Sequence, residues 1–344
     1  MDDEDDRTRA AVNPQPPFVP SGPTFWRRGF LWGLLSGWIL VGLPWAVLMF
    51  VTTRNTGDGQ LPHMNGGLIY NESIILLLPV IQGFVGGLMR GPNKHGFWSG
   101  VGLTSMLWAA DTTVVMIFLR EGVICLILAA PIFIGIMGIA YAAGRGIACF
   151  RKAKTLSVSL LPLALLATIG ETLGPKPDQA EVVTDSITVN APANYVWKYV
   201  VDYPDNPNPP AYWLWQIGLP APTHSVAPVQ KVGAHRECRF SGGQVFEERI
   251  VRLEPNKNLT FAITQQPTDP EIIGHLTVDQ GQIALRQNAD GTTTMIATSW
   301  YRLHVRPAGY FGWWAADITR HVHFRVLGYM KTLAERDYRA GSGT

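Results

Sequence analysis

Cysteine is scarce in this chain, with three in 344 residues: Cys125, Cys149 and Cys238. So few, so far apart, exclude a disulfide framework. They read as small apolar fillers, the usual state of a free cysteine. Charge is also sparse, with Asp, Glu, Lys and Arg making up 16% of the chain and a net charge of +2. No basic stripe or nucleic-acid motif is present, so nucleic acid is not an expected partner. Gly-x-Ser-x-Gly, a phosphate loop, a dinucleotide fingerprint and clustered metal-ligand spacing are all missing. Neither a metal nor a cofactor is expected.

What is there is unevenly spread. Charges are rare from Arg28 to Gly174 and common after Lys176, where residues 175–344 carry 16 basic and 16 acidic side chains. That asymmetry predicts a membrane half followed by a soluble half. The acidic, then proline-rich stretch 1–25 has too little apolar surface to order and does not read as a signal peptide. Residues 26–174 contain apolar segments at 29–51, 68–89, 97–119 and 122–144, each near the ~20 residues a bilayer core requires. A fifth, shorter segment at 155–173 carries Pro162 and Glu171. The expected fold class is therefore an all-α membrane half of four or five transmembrane helices joined to an α+β domain.

Arg27, Arg28, Arg90, Lys94 and the cluster Arg145, Arg151, Lys152 and Lys154 fall on the N-terminus and the even loops. The positive-inside rule then places those loops in the cytoplasm. If 155–173 crosses, the C-terminal domain is extracytoplasmic, which is the expectation here; if that segment lies flat, the domain is cytoplasmic. Two carboxylates fall inside apolar segments, Asp111 and Glu72. An intramembrane acid is a functional candidate by default. The plainer reading is a protonated Asp111 bonded to hydroxyls or amides of neighbouring helices.

Beyond a linker at 175–183, residues 184–338 read as soluble, followed by a short tail at 339–344. "DSITVNA" alternates as a strand, and "APANYVWKYVVDY" follows as a helix with Asn190 as N-cap and Pro192 in its first turn. "AHRECRFSGGQVFEERIVRLEP" reads as a hairpin, and "NADGT" joins two later strands. The last helix, about 308–337, carries an apolar stripe of Phe311, Ala315, Ile318, Val322, Val326, Tyr329 and Leu333.

This order, with "ITVNAPANYVWKYVVDY" at the entrance and "GTTTMIATSWYRLHVRP" before the last helix, resembles the START-like helix-grip fold of the SRPBCC superfamily, which includes polyketide cyclase-like proteins. "RLHVRPAGYFGWWAADITRHVHFRVLGYMKTLAER" also resembles a bacterial group in which such a domain follows several membrane helices. The resemblance implies a curved sheet gripping a long helix around an apolar cavity, in a multi-pass protein of the bacterial inner membrane. It implies as partners a hydrophobic small molecule and membrane lipids, and sets no oligomeric state.

No side chain announces catalysis. His321 and His323 sit two apart on a helix, about 200° around the axis, so they cannot share one metal ion. Asp317, His321 and Arg325 form an i, i+4, i+8 ladder beside the stripe. Asp317 could orient His321, and Arg325 could meet an anionic headgroup or enolate; the same ladder also fits a surface salt-bridge row. Glu237, Arg239, Glu247 and Arg249 suit cross-strand pairs on a solvated face, or a cavity lining in the other register. Trp300 reads as core. Trp213 and Trp215, with Trp314 on the helix, suit a cavity mouth that dips into the interface. Binding of a lipid-like or isoprenoid-like ligand leads. An enzyme on a polyketide-like substrate, with His321 as base, and a structural or signalling subunit are the alternatives.

Overall fold

A computed structural model describes residues 23–43, 46, 76–90, 97–119, 122–149, 178–269, 271–272 and 275–342. Glu72, the segment 155–173 and nearly all of the N-terminal stretch lie outside the described residues.

The first half is helical. Helices α1 (Pro23–Gly37), α2 (Leu78–Arg90), α3 (Phe97–Leu119) and α4 (Val123–Cys149) pack together, and a short π-helical turn, Trp38–Gly42, continues α1. Small residues permit the close approach: a Cβ on Gly83, Gly87 or Gly144 would run into the backbone of the facing helix. The described residues do not by themselves support four or five spans. Among the described residues, one helix, Val123–Ala148, is long and apolar enough to cross a membrane by length and composition, and Leu78–Met89 is a shorter apolar helix.

The second half is a seven-stranded antiparallel sheet in the order β1-β7-β6-β5-β4-β3-β2. Its strands are β1 (Gln179–Val189), β2 (Pro222–Val226), β3 (His235–Phe240), β4 (Val245–Glu254), β5 (Asn258–Gln265), β6 (Leu276–Gln287) and β7 (Thr293–Leu303). Period-two alternation drives the assignment: on β7, Thr293, Met295, Ala297, Tyr301 and Leu303 are buried. Trp300 therefore points to the outer face, where it is half-buried, and is not the core residue its size suggested. The predicted turns form as read. Gly242 and Gly243 take positive φ between β3 and β4, and Gly291 does so between β6 and β7. The Asp290 carboxylate accepts the Thr292 N–H at 3.0 Å and fixes that second turn.

Register shifts in the β4–β5 and β6–β7 pairs bend the sheet. At Gly281 a Cβ would collide with the Phe261 ring, which lies across the inner surface there. The curved sheet holds one long helix, α7 (Ala308–Ser342), against β1 and β7. Two short helices, α5 (Ala193–Trp197) and α6 (Trp213–Gln216), lie in the β1–β2 connection. Pro192 occupies the N-cap of α5 with no side-chain cap, and the Asn190 N–H instead donates to Glu335 on α7 at 2.7 Å. The expected Asn190 cap is corrected: the helix starts two residues later, after Pro192.

A curved antiparallel sheet gripping a C-terminal helix is the helix-grip arrangement. Its main core joins Val189, Val196, Ile250, Met295, Leu327 and Met330. The two halves also touch. Leu126 and Phe133 of α4 cluster with Tyr301, Leu303 and Phe311, and Ile124 and Leu128 cluster with Leu214, Trp215 and Leu219. The Tyr310 hydroxyl donates to the Leu128 carbonyl at 2.6 Å.

Candidate functional site

A cavity of about 220 Å³ lies between the inner face of the sheet and α7. Its walls are mostly apolar, with Phe240, Phe246, Phe261 and Ile283 from strands and Val322 and Val326 from α7. The loop leading into β6 contributes Glu271 and Ile272. That loop is docked on the helical half. The Glu271 carboxylate accepts the N–H groups of Ile124 and Cys125, both at 3.0 Å, at the start of α4. A carboxylate there satisfies orphan peptide donors and meets the positive end of the helix.

Two clusters of polar side chains stand in the wall, besides Glu271, Gln282, Thr298 and Thr319. On adjacent strands, Arg236 and Glu248 are both buried and ion-paired, and Arg236 also donates from Nε to the Val201 carbonyl at 2.7 Å. The Arg236 guanidinium lies 4.8 Å from the Phe261 ring centroid. Burial raises the Glu248 carboxyl, opposed by the guanidinium it touches; burial acts to lower Arg236, and its neighbours, Glu248 first among them, together raise it on balance. Beside them, burial pushes the Cys238 thiol up to about 12, so it stands as a neutral thiol and an unready nucleophile.

The second polar group joins three elements. His323 on α7 contacts Asp185 on β1 through Nδ1 at 2.8 Å and Ser299 on β7 through Nε2 at 2.8 Å. Ser299 and His323 both line the cavity. Arg320 Nε approaches the other Asp185 oxygen at 3.3 Å. Burial draws the His323 imidazole below its ordinary 6.5, with Asp185 pulling the other way.

The anticipated ladder is assembled, but elsewhere. Asp317 accepts the Tyr212 hydroxyl hydrogen at 2.6 Å, and the His321 ring stacks on Tyr212 with centroids 3.8 Å apart. Arg325 donates to the carbonyls of Pro222 at 2.9 Å and Asn208 at 2.8 Å, and lies 5.6 Å from the Trp215 ring centroid. His321, Arg325 and Trp215 border a separate, more open hollow of about 320 Å³ on the outer side of α7. Trp215 is buried, Trp213 is exposed, and Trp314 packs edge-on to Trp213 at 6.3 Å.

Glu237, Arg239, Glu247 and Arg249 lie on the outer face, because Arg236, Cys238 and Glu248 take the inward positions. There Glu237 pairs with Arg239 at 2.7 Å, and His235 lies 3.1 Å from Glu247. Among the described residues, His235, Glu237 and Glu247 are the one group spaced to hold a metal ion. Arg239 already occupies Glu237. In the helical half, buried Asp111 accepts from Trp38 Nε1 at 2.8 Å and from Gln82 Nε2 at 3.0 Å. An amide and an indole are its partners, close to the plainer of the two expectations.

Sequence reasoning missed Asp185, Ser299, Arg236, Glu248 and Glu271, and set His323 aside as half of a spurious pair. One local signal existed. Ala315, Thr319, His323, Leu327, Met330 and Ala334 recur at spacings of four and three, which puts His323 in a buried row.

No family model matches this chain, and no curated protein matches it. Solved structures with a similar outline include the Zhui aromatase/cyclase from Streptomyces sp. R1128, at 18% identity and TM-score 0.32 over 48% of this chain and 100% of that one. Norcoclaurine synthase from Thalictrum flavum matches at 9% identity and TM-score 0.30, over 48% of this chain and 96% of that one. A protein from Nitrosospira multiformis matches at 18% identity and TM-score 0.31, over 48% of this chain and 100% of that one. Scores at that level describe a shared outline and carry no chemistry to this chain.

Proposed function

We propose that this protein captures a hydrophobic molecule at a membrane surface, holding its apolar end in the cavity between the sheet and α7. The observation that carries the reading is an apolar cavity of about 220 Å³ whose wall includes the loop docked on the start of α4. Its volume exceeds the ~150 Å³ of an apolar cavity that holds benzene, so a ring or short acyl chain fits. Buried Arg236–Glu248 supplies charge at one wall, and Ser299 supplies a hydroxyl at another. Capture of a lipid-like ligand is therefore favoured over a filled, purely structural core.

Membrane attachment is part of the proposal. The helix Val123–Ala148 has 26 residues. At ~1.5 Å per residue it exceeds the ~30 Å hydrocarbon core. Trp32, Ile39, Leu43, Trp98 and Ile139 stand more than half exposed on the helical half, a surface that water does not favour and lipid does. The sheet domain meets α4 at its N-terminal end, whereas Arg145, Arg151, Lys152 and Lys154 fall at or beyond its C-terminal end. With the basic end cytoplasmic, the domain lies on the extracytoplasmic side.

The test uses the full chain purified in detergent. Mass spectrometry should find an apolar molecule bound to the parent protein and depleted in Ile263→Trp, which fills the cavity from β5. Equal occupancy in the two at matched folded fraction would remove the cavity from the proposal.

A further inference from the structure

We propose that Ser299 is a nucleophile for acyl transfer, activated by His323 and positioned through Asp185, acting on a carboxylic ester whose acyl chain enters the cavity. The inference rests on the cavity reading above and adds a reaction to it. Three residues from three elements stand in a line: Asp185 Oδ2 to His323 Nδ1 at 2.8 Å, then His323 Nε2 to Ser299 Oγ at 2.8 Å. The chemistry of the partners sets the direction of each hydrogen bond. An ionised carboxylate only accepts, so Nδ1 carries the hydrogen and Nε2 presents its lone pair to the serine hydroxyl. This is the arrangement a serine needs in order to lose its proton as it attacks. Burial keeps the imidazole neutral near pH 7, which leaves it free to act as the base.

A buried neutral imidazole needs an acceptor for its N–H and a donor for its bare nitrogen, and Asp185 and Ser299 meet those two needs. The line they form has a further property. It ends on a hydroxyl in the wall of an apolar cavity, beside side chains suited to an acyl chain. Asp185 lies behind it, held on its other oxygen by Arg320.

In the reaction, Ser299 Oγ bonds to the ester carbonyl carbon as His323 Nε2 takes the hydroxyl proton. The ester C–O bond then breaks, and the alcohol leaves with that proton. Water attacks the acyl-serine, giving one proton to His323. The carboxylic acid departs as His323 returns the proton to Ser299. Ser299 is paired mid-strand with Val183 and Gly281, so its own peptide group serves the sheet. The Thr319 hydroxyl, one turn before His323 and also on the cavity wall, is the side-chain donor at hand for the oxyanion. It bonds the Ala315 carbonyl at 2.8 Å and must turn from it. Loss of one oxyanion donor typically costs ~10²–10³ in rate, so slow acylation is expected.

The test treats the full chain with a long-chain alkyl fluorophosphonate after detergent exchange has stripped the cavity, then maps adducts by peptide mass spectrometry. One adduct is expected on Ser299, absent in Ser299→Ala and formed ~10²-fold or more slowly in His323→Gln. Asp185→Asn, which spoils the tautomer, should slow labelling while native circular dichroism persists. No adduct on Ser299 in the natively folded parent overturns the proposal. Bound apolar molecules are measured before stripping. An occupied cavity with an unreactive serine removes the nucleophile alone; a reactive serine in a chain that never held a ligand removes the capture reading alone.

Discussion

Glu271 accepts the peptide hydrogen of Cys125 at 3.0 Å across 146 residues of chain. One carboxylate thus ties the cavity wall to the start of α4. Glu271→Ala should cost ~1–2 kcal/mol locally, the usual range for a lost helix cap with its dipole partner. Hydrogen exchange of peptides covering 123–127 and 266–276 should rise together. Gly122→Ala should reproduce the effect, because its Cβ would meet the same carboxylate. Unchanged exchange in both segments would show that the halves are held by apolar contact alone.

The Arg236–Glu248 pair gives a double-mutant test. Both side chains are almost wholly buried, at 2% and 3% exposure. Removing one partner strands a charge, so Glu248→Leu alone should lose ~3–5 kcal/mol in denaturant unfolding. Arg236→Met with Glu248→Leu should recover most of that loss, since two apolar residues leave no charge uncompensated. The Val201 carbonyl, which Arg236 bonds, sets the limit of recovery. A double variant as unstable as the single one would mean the pair is needed for shape and not merely for neutrality.

Local features of the C-terminal domain were legible, and distant ones were not. The turn at Gly291, the hairpin at Gly242 and the final helix depend on residues within a few positions, and sequence gives those directly. The sheet's inward face also follows from alternation, once one residue is placed. Asp185 and His323 meet across 138 residues, and no local pattern encodes that contact. The Asp317–His321–Arg325 ladder was found because its spacing is local. Its destination was misjudged, because the carbonyls that receive Arg325, of Asn208 in the β1–β2 connection and of Pro222 at the start of β2, lie more than 100 residues away. Hydropathy marked the helical half correctly as apolar. It does not tell which of those helices cross a membrane, since helices packed on one another are apolar either way.

Arg325 separates a clamp from a ligand contact. Its hydrogen bonds fasten the 206–222 loop to α7. Arg325→Ala should lower stability by ~1–3 kcal/mol, as for a hydrogen bond to a charged group, and leave ligand content unchanged at matched folded fraction. Arg325→Lys should recover only part, because an ammonium cannot serve two carbonyls with a planar fork. Ligand loss in the alanine variant would move the binding site to the outer hollow.

The last prediction follows from His323 in the folded and unfolded chains. In the native protein, burial draws its imidazole below the ordinary 6.5. Near pH 6.5 the unfolded chain then binds more protons at this site than the native chain. Stability therefore rises with pH through the window between the two values and falls on acidification. The groups facing this ring are the Asp185 carboxylate, the Ser299 hydroxyl and the Arg320 guanidinium, whose positive charge adds to the downward pull. Denaturant unfolding of the parent should show a loss of stability from pH 7.5 to pH 5.5. His323→Gln, which keeps a polar side chain but cannot titrate, should lose less over the same interval. The acyl-labelling rate should follow the native chain alone, with its fall on acidification displaced to lower pH than an ordinary imidazole would give. Parallel stability slopes in the parent and His323→Gln would mean that the imidazole titrates alike folded and unfolded, and the neutral base assigned to Ser299 would lose its support.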